Sequence, residues 1–127
     1  MGAGRVKYLL DSVIVIDHFN GLPQGTAFIA DHAAACVLSV ITRAEVLTGF
    51  NADTERDALE LLDAFPALPL TVEIADTAAR LRRALRWKLP DAIQAAVAQH
   101  HELTLVTRNT RDFQGGREVE VLVPYRL

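Results

Sequence analysis

The chain has 127 residues, half of them hydrophobic, with a net charge of −3 and one cysteine. That length and apolar content suit one globular domain over residues 1–127 and exclude a disordered chain. The lone Cys36 excludes an internal disulfide and cysteine-based zinc sites, and the acidic balance excludes a protein held to nucleic acid by charge alone.

Residues 6–10, VKYLL, predict a short strand, and 12–19 a helix opening after Asp11. Pro23, near the start of LPQGTAFIADH, predicts a second helix. The β-branched CVLSV predicts a strand, TRAEVLTGF a helix from Thr42, and DTERDALELLDAF another, whose Leu59, Leu62 and Phe65 share an apolar face. ALPL predicts a brief strand. Glu73 to Arg86 forms a strongly amphipathic helix with Ile74, Ala78, Leu81 and Leu85 inward, and Pro90 opens PDAIQAAVAQH, with Ile93 and Val97 at helical spacing. LTLVT predicts a buried strand. REVEVLVPY, alternating Val119, Val121 and Val123 with Glu118 and Glu120, predicts a last strand with one covered face. Strands and helices in this order predict an α/β fold with a mainly parallel central sheet and helices on both sides. No apolar run is long enough to span a bilayer and the start lacks a secretory layout, so a cytoplasmic protein is expected.

Acids fall where strands hand over to helices: Asp11, Glu45, Asp91 and Asp112. Ligands of such sheets bind outside the carboxyl ends of the strands, near the switch point. Each acid also has a structural explanation. Asp11 suits an N-cap, Thr42 and Glu45 have capping-box spacing, Asp91 suits a helix N-terminus and Asp112 a turn. If they converge, an all-oxygen set without cysteine or histidine favours Mg²⁺ or Mn²⁺ over zinc.

LLDSVIVIDHF, SVITRAEVLTGF, LPDAIQAAVAQHHELTLVTRNTRDF and VEVLVP together resemble the PIN-domain family, and within it the VapC-type toxins of bacterial toxin–antitoxin pairs. The resemblance runs from about Tyr8 to Pro124. It implies a three-layer α/β/α domain and a Mg²⁺- or Mn²⁺-dependent endoribonuclease, with a VapB-type antitoxin as partner and usually a homodimer. Asp11, Glu45 and Asp91 match the family's first, second and third acids. At the fourth place many members have an acid where this chain has Asn109, with a further acid three residues on; Asp112 is taken as the fourth acid and Asn109 as its neighbour. Ser12 and Thr107 fall where members often carry hydroxyls that hydrogen-bond the acids or the water.

Arg80, Arg82, Arg83, Arg86 and Lys88 lie between Thr77 and Pro90 with no acid among them. With Arg43, the residues Arg82, Arg86 and Lys88 are candidates for RNA phosphates, against the plainer reading of a solvated face. Trp87 suits the junction before Pro90 or a partner contact, and a base stack is its alternative. Asp17 and His18 are assigned to the surface. The apolar faces of 28–37 and 58–65 suit a dimer seam or an antitoxin groove. Two other functions compete with the nuclease. One is a binding module whose pocket lost competence at Asn109 and which holds an antitoxin or RNA without cleaving. The other is a phosphoacceptor receiver domain, disfavoured because one acid follows the first strand and Arg108 stands where a lysine is needed.

Overall fold

The computed structural model describes residues 5–116 and 119–127. Among these, strands β1 (Tyr8–Leu10), β2 (Cys36–Ser39), β3 (Ala67–Leu68), β4 (Thr104–Val106) and β5 (Val121–Leu122) form one parallel sheet in the order β3-β2-β1-β4-β5. The helices are α1 (Ser12–Phe19), α2 (Pro23–His32), α3 (Val40–Thr48), α4 (Glu55–Leu62), α5 (Val72–Leu85) and α6 (Leu89–His100). The expected three-layer α/β/α architecture is observed.

Alternation along each strand builds the layers. Leu9, Val37 and Leu105 point to one face and pack with Ile74, Ala78 and the alanine-rich run of α6. Leu10, Leu38 and Val106 point to the other and pack with Ile14, Phe28, Val46 and Leu62 from α1–α4. Leu9, Leu10, Leu38, Leu105 and Val106 are 0 % exposed. Burying each such side chain stabilises the fold by about 1.5–3 kcal/mol relative to leaving it in water. The chain enters at the sheet's centre, builds outward to β3, then crosses back to lay β4 on the far side of β1. The switch point therefore lies at the carboxyl ends of β1 and β4.

Several boundaries differ from expectation, each for a local reason. The third helix starts at Val40, not Thr42, because extended Ser39 is its N-cap and accepts the Thr42 N–H at 3.2 Å. Thr42 turns its hydroxyl inward to the Leu10 carbonyl at 3.2 Å, so Thr42 and Glu45 form no capping box, and Glu45 stands in the second turn. The fourth helix waits until Glu55 because the Asn51 carboxamide accepts the N–H groups of Asp53 and Thr54 in a preceding turn. The fifth ends at Leu85, since Arg86 adopts the left-handed region at φ 61°. Of the strand expected over 117–125, only Val121–Leu122 pairs, while residues 117 and 118, including the expected outward Glu118, lie outside the described residues. Trp87 belongs to the core: its indole N–H donates to the Gln114 carbonyl at 2.9 Å and its ring meets Phe113 edge-on.

Candidate active site

Asp11 ends β1 at the switch point, where its N–H donates to the Val106 carbonyl of β4 at 2.9 Å. Its carboxylate is held by three donors. The Ser12 N–H and Gln94 Nε2 reach Oδ1 at 2.9 and 3.3 Å, and the Thr107 hydroxyl reaches Oδ2 at 2.7 Å. Asp11 thus caps α1, as one reading expected, and is also a buried anion, 5 % exposed. Burial raises its pKa above the ordinary carboxylate value. The three hydrogen bonds pull the other way, and the charge of Asp112 adds to the rise.

The other acids gather around it. Asp91 sits half-buried in the first turn of α6, where the fixed φ of Pro90 suits a helix start. Its pKa is pushed up to about 6, first by desolvation and then by the charges of Asp112, Asp11 and Glu45, with Lys88 opposing. Glu45 lies on the outer side of α3 but is partly desolvated at its carboxyl, which raises its pKa; the charge of Asp11 adds to this and a hydrogen bond from the Ser12 side chain opposes it. Asp112, on a 3₁₀ turn after β4, shares a cleft of roughly 350 Å³ with Arg86, Lys88, Asp91 and Arg111. Four chain segments therefore bring their acids within electrostatic reach of one another at one edge of the sheet.

The supporting residues divide. Ser12 serves two acids, with its N–H on Asp11 and its side chain on Glu45. Thr107 fixes Asp11, and the Asn109 N–H donates back to Thr107 Oγ1 at 3.1 Å. Arg43 does not turn to the acids; it pairs with Asp63 at 2.9 Å. Arg82 is occupied by the Trp87 carbonyl at 2.7 Å. Arg86 and Lys88 remain on the cleft, joined by Arg111, which sequence reasoning passed over.

Sequence reasoning also missed two buried polar groups. Gln94, 1 % exposed, bridges Asp11, Thr42 and Ser39, partners so distant in sequence that no local pattern marks it. Asp17 is not on the surface. It is 5 % exposed, accepts Arg108 Nε and Nη2 at 2.7 and 2.8 Å, and accepts the Tyr125 hydroxyl at 2.8 Å. The Arg108 bond holds its carboxyl below the usual range.

The donor set suits a hard divalent cation: crowded carboxylates whose pKa values rise together gain most from a positive charge, and the Thr107 and Ser12 hydroxyls hold two of them in place. As the side chains stand, no group of three or more acidic, histidine or cysteine residues among those described is close enough to grip an ion.

The family model described as PIN domain matches residues 8–115. The chain belongs to the PIN-domain family. Solved structures agree with this membership. A toxin–antitoxin complex from Klebsiella pneumoniae contains a chain 34 % identical, matched over 95 % of this chain and 100 % of its own with a TM-score of 0.85. FitAcB from Neisseria gonorrhoeae is 25 % identical over 94 % of this PIN domain and 99 % of its own chain, with a TM-score of 0.77. DNA-bound VapBC from Salmonella typhimurium, 18 % identical over 94 % and 99 % of the two chains, shares the fold at a TM-score of 0.80. No curated protein matches this PIN domain by sequence. The expected likeness to VapC-type toxins accords with these relatives. Among the described residues no helix is long and apolar enough to cross a membrane.

Proposed function

We propose that this PIN domain is a metal-dependent endoribonuclease and the toxin of a VapBC-type pair. One observation carries the reading: Asp11, Glu45 and Asp91, from three separate segments, lie close enough at the carboxyl edge of the switch point for neighbouring carboxylates to raise each of them, and Asp112, from a fourth, acts on Asp11 and Asp91. Asp11, Glu45, Asp91 and Asp112 would hold Mg²⁺ or Mn²⁺, with Ser12 and Thr107 fixing two of the carboxylates and Asn109 fixing Thr107. Such an ion, when bound, supplies water activation and charge neutralisation for phosphodiester hydrolysis.

The chain's own residues do the rest. Thr107, Ser12 and Gln94 hold the Asp11 carboxylate in one orientation, so little is left to reorganise when substrate arrives. Arg86, Lys88 and Arg111 line the cleft beside Asp91 and Asp112 and face the phosphates of a single strand. Arg43 and Arg82, being engaged elsewhere, are left out of this contact. The toxin–antitoxin complex matched at 34 % identity supports an antitoxin as partner. The apolar faces of 28–37 and 58–65, expected to serve that contact or a homodimer, instead face the core, where Phe28, Ile29, Leu62 and Phe65 are buried.

The test is cleavage of a structured RNA panel by purified protein. Cleavage is expected with Mg²⁺ or Mn²⁺, and is lost with excess chelator and in Asp11→Asn. Equal cleavage in chelator refutes the metal mechanism. An antitoxin complex that forms while no ion supports cleavage would favour the binding-module reading instead.

A further inference from the structure

Beside the acids lies a closed set of buried polar side chains. Gln94 Nε2 donates to Thr42 Oγ1 at 2.7 Å and to Asp11 Oδ1 at 3.3 Å, and its Oε1 accepts the Ser39 hydroxyl at 2.6 Å. Ser39 Oγ accepts the Thr42 N–H at 3.2 Å, and Thr42 passes its hydroxyl hydrogen to the Leu10 carbonyl at 3.2 Å. Ser39 and Thr42 are 0 % exposed and Gln94 1 %. Every direction in this set is determined. Turning the amide over would press its oxygen against the Asp11 carboxylate. A core that needed only volume here would hold leucine, at no risk of stranding a polar group.

The positions of these residues give the set a purpose. Gln94 is one helical turn from Asp91 on α6, and Thr42 one turn from Glu45 on α3. Asp11 is bonded to Gln94 itself, and Glu45 and Asp91 ride on the two helices that Gln94 ties, so the three supports carry like charges that push them apart. We propose that Gln94 is a positioning residue: its bonds to Thr42, Ser39 and Asp11 lock α6 to the start of α3 and the end of β1, holding the three acid-bearing segments together against their own repulsion. The proposal rests on the reading of these acids as one cluster. It concerns the protein before any cation arrives.

The experiment is a thermal-unfolding cycle on the metal-free full chain at pH 8 and low ionic strength, where repulsion is least screened. Gln94→Met keeps the bulk and removes every polar tie. It is made in the natural background and in one carrying Glu45→Gln with Asp91→Asn. The expected loss of Tm is at least about twice as large in the natural background as in the neutralised one, since the strut and the repulsion it opposes are coupled. Calorimetry on the folded single variant is expected to show Mn²⁺ bound about tenfold more weakly, the scale typical of residues that orient metal ligands. Equal losses of Tm in both backgrounds, with unchanged Mn²⁺ affinity, would make Gln94 ordinary core filling and overturn the proposal. Should Gln94→Met not fold, Thr42→Val, which removes only the hydroxyl that Gln94 holds, carries the same cycle. Failure of the natural protein to bind Mn²⁺ would sink the nuclease reading, while the metal-free cycle still decides the role of Gln94.

Discussion

Asp11 and Asp17 lie on one short helix and its cap, yet they titrate in opposite directions. Asp11 is raised because burial outweighs its donors, and Asp17 is lowered because Arg108 outweighs burial. The signs fix the pH dependence of the metal-free protein. A raised acid binds its proton more tightly when folded, so it costs stability as pH climbs from the unfolded value of 3.8 through the folded value, about 6 for Asp91. Asp17 contributes stability that is complete above its unfolded value of 3.8 and is lost as pH falls through its lowered folded value. Tm is therefore expected to peak near about pH 4 and to fall as pH rises through about 6, where Asp91 ionises; a flat or rising profile from pH 4 to 7 would contradict the assignment. Asp11→Asn should abolish cleavage while leaving the metal-free protein as stable or more so, by denaturant titration. Arg108→Met should cost about 1–3 kcal/mol, because it leaves the buried Asp17 carboxylate with the Tyr125 hydroxyl and without its charged partner. In the sequence, Asp11 is marked by its place where a strand hands over to a helix. Asp17 reads as a surface residue, because its partners are 91 and 108 residues away and nothing local marks them.

The helices were legible from periodicity, but their ends were not. The α3 start is set by one Ser39 hydroxyl and the α4 start by one Asn51 carboxamide, choices that a repeating pattern does not encode. The α5–α6 junction shows the same limit. Arg86 holds a left-handed conformation at φ 61°, which costs an L-residue about 1–2 kcal/mol, and glycine is the residue that relieves it. Arg86→Gly is accordingly expected to raise stability by about 0.5–1 kcal/mol and to weaken binding of a non-cleavable RNA, measured by anisotropy. Improved stability with unchanged RNA affinity would remove Arg86 from the cleft's ligand surface. Across the same junction the Trp87 ring leaves no room for a Cβ at Gly116, so Gly116→Ala should cost about 1–3 kcal/mol through displacement of the indole.

On the scale of the whole molecule, the parallel sheet and its two helical layers follow from strand alternation and element order, and the same order puts the acids where strands hand over to helices. The network around Gln94 was out of reach for a different reason: it joins positions 83 and 55 residues apart, and a lone glutamine among alanines has no pattern of its own. Because a cation would bind the folded acids and not the unfolded chain, Mn²⁺ at one hundred times its dissociation constant should stabilise the protein by about 2.7 kcal/mol. An unchanged melting temperature at millimolar Mn²⁺ would speak against the cluster.

Nature has also left an optical gauge in this protein. Its single tryptophan, Trp87, is enclosed by Phe113 and the Gln114 carbonyl and borders the hollow shared by Asp91 and Asp112. Intrinsic emission excited at the indole band thus comes from one address, so ion uptake and strand docking there can be followed label-free, without a background from distant chromophores.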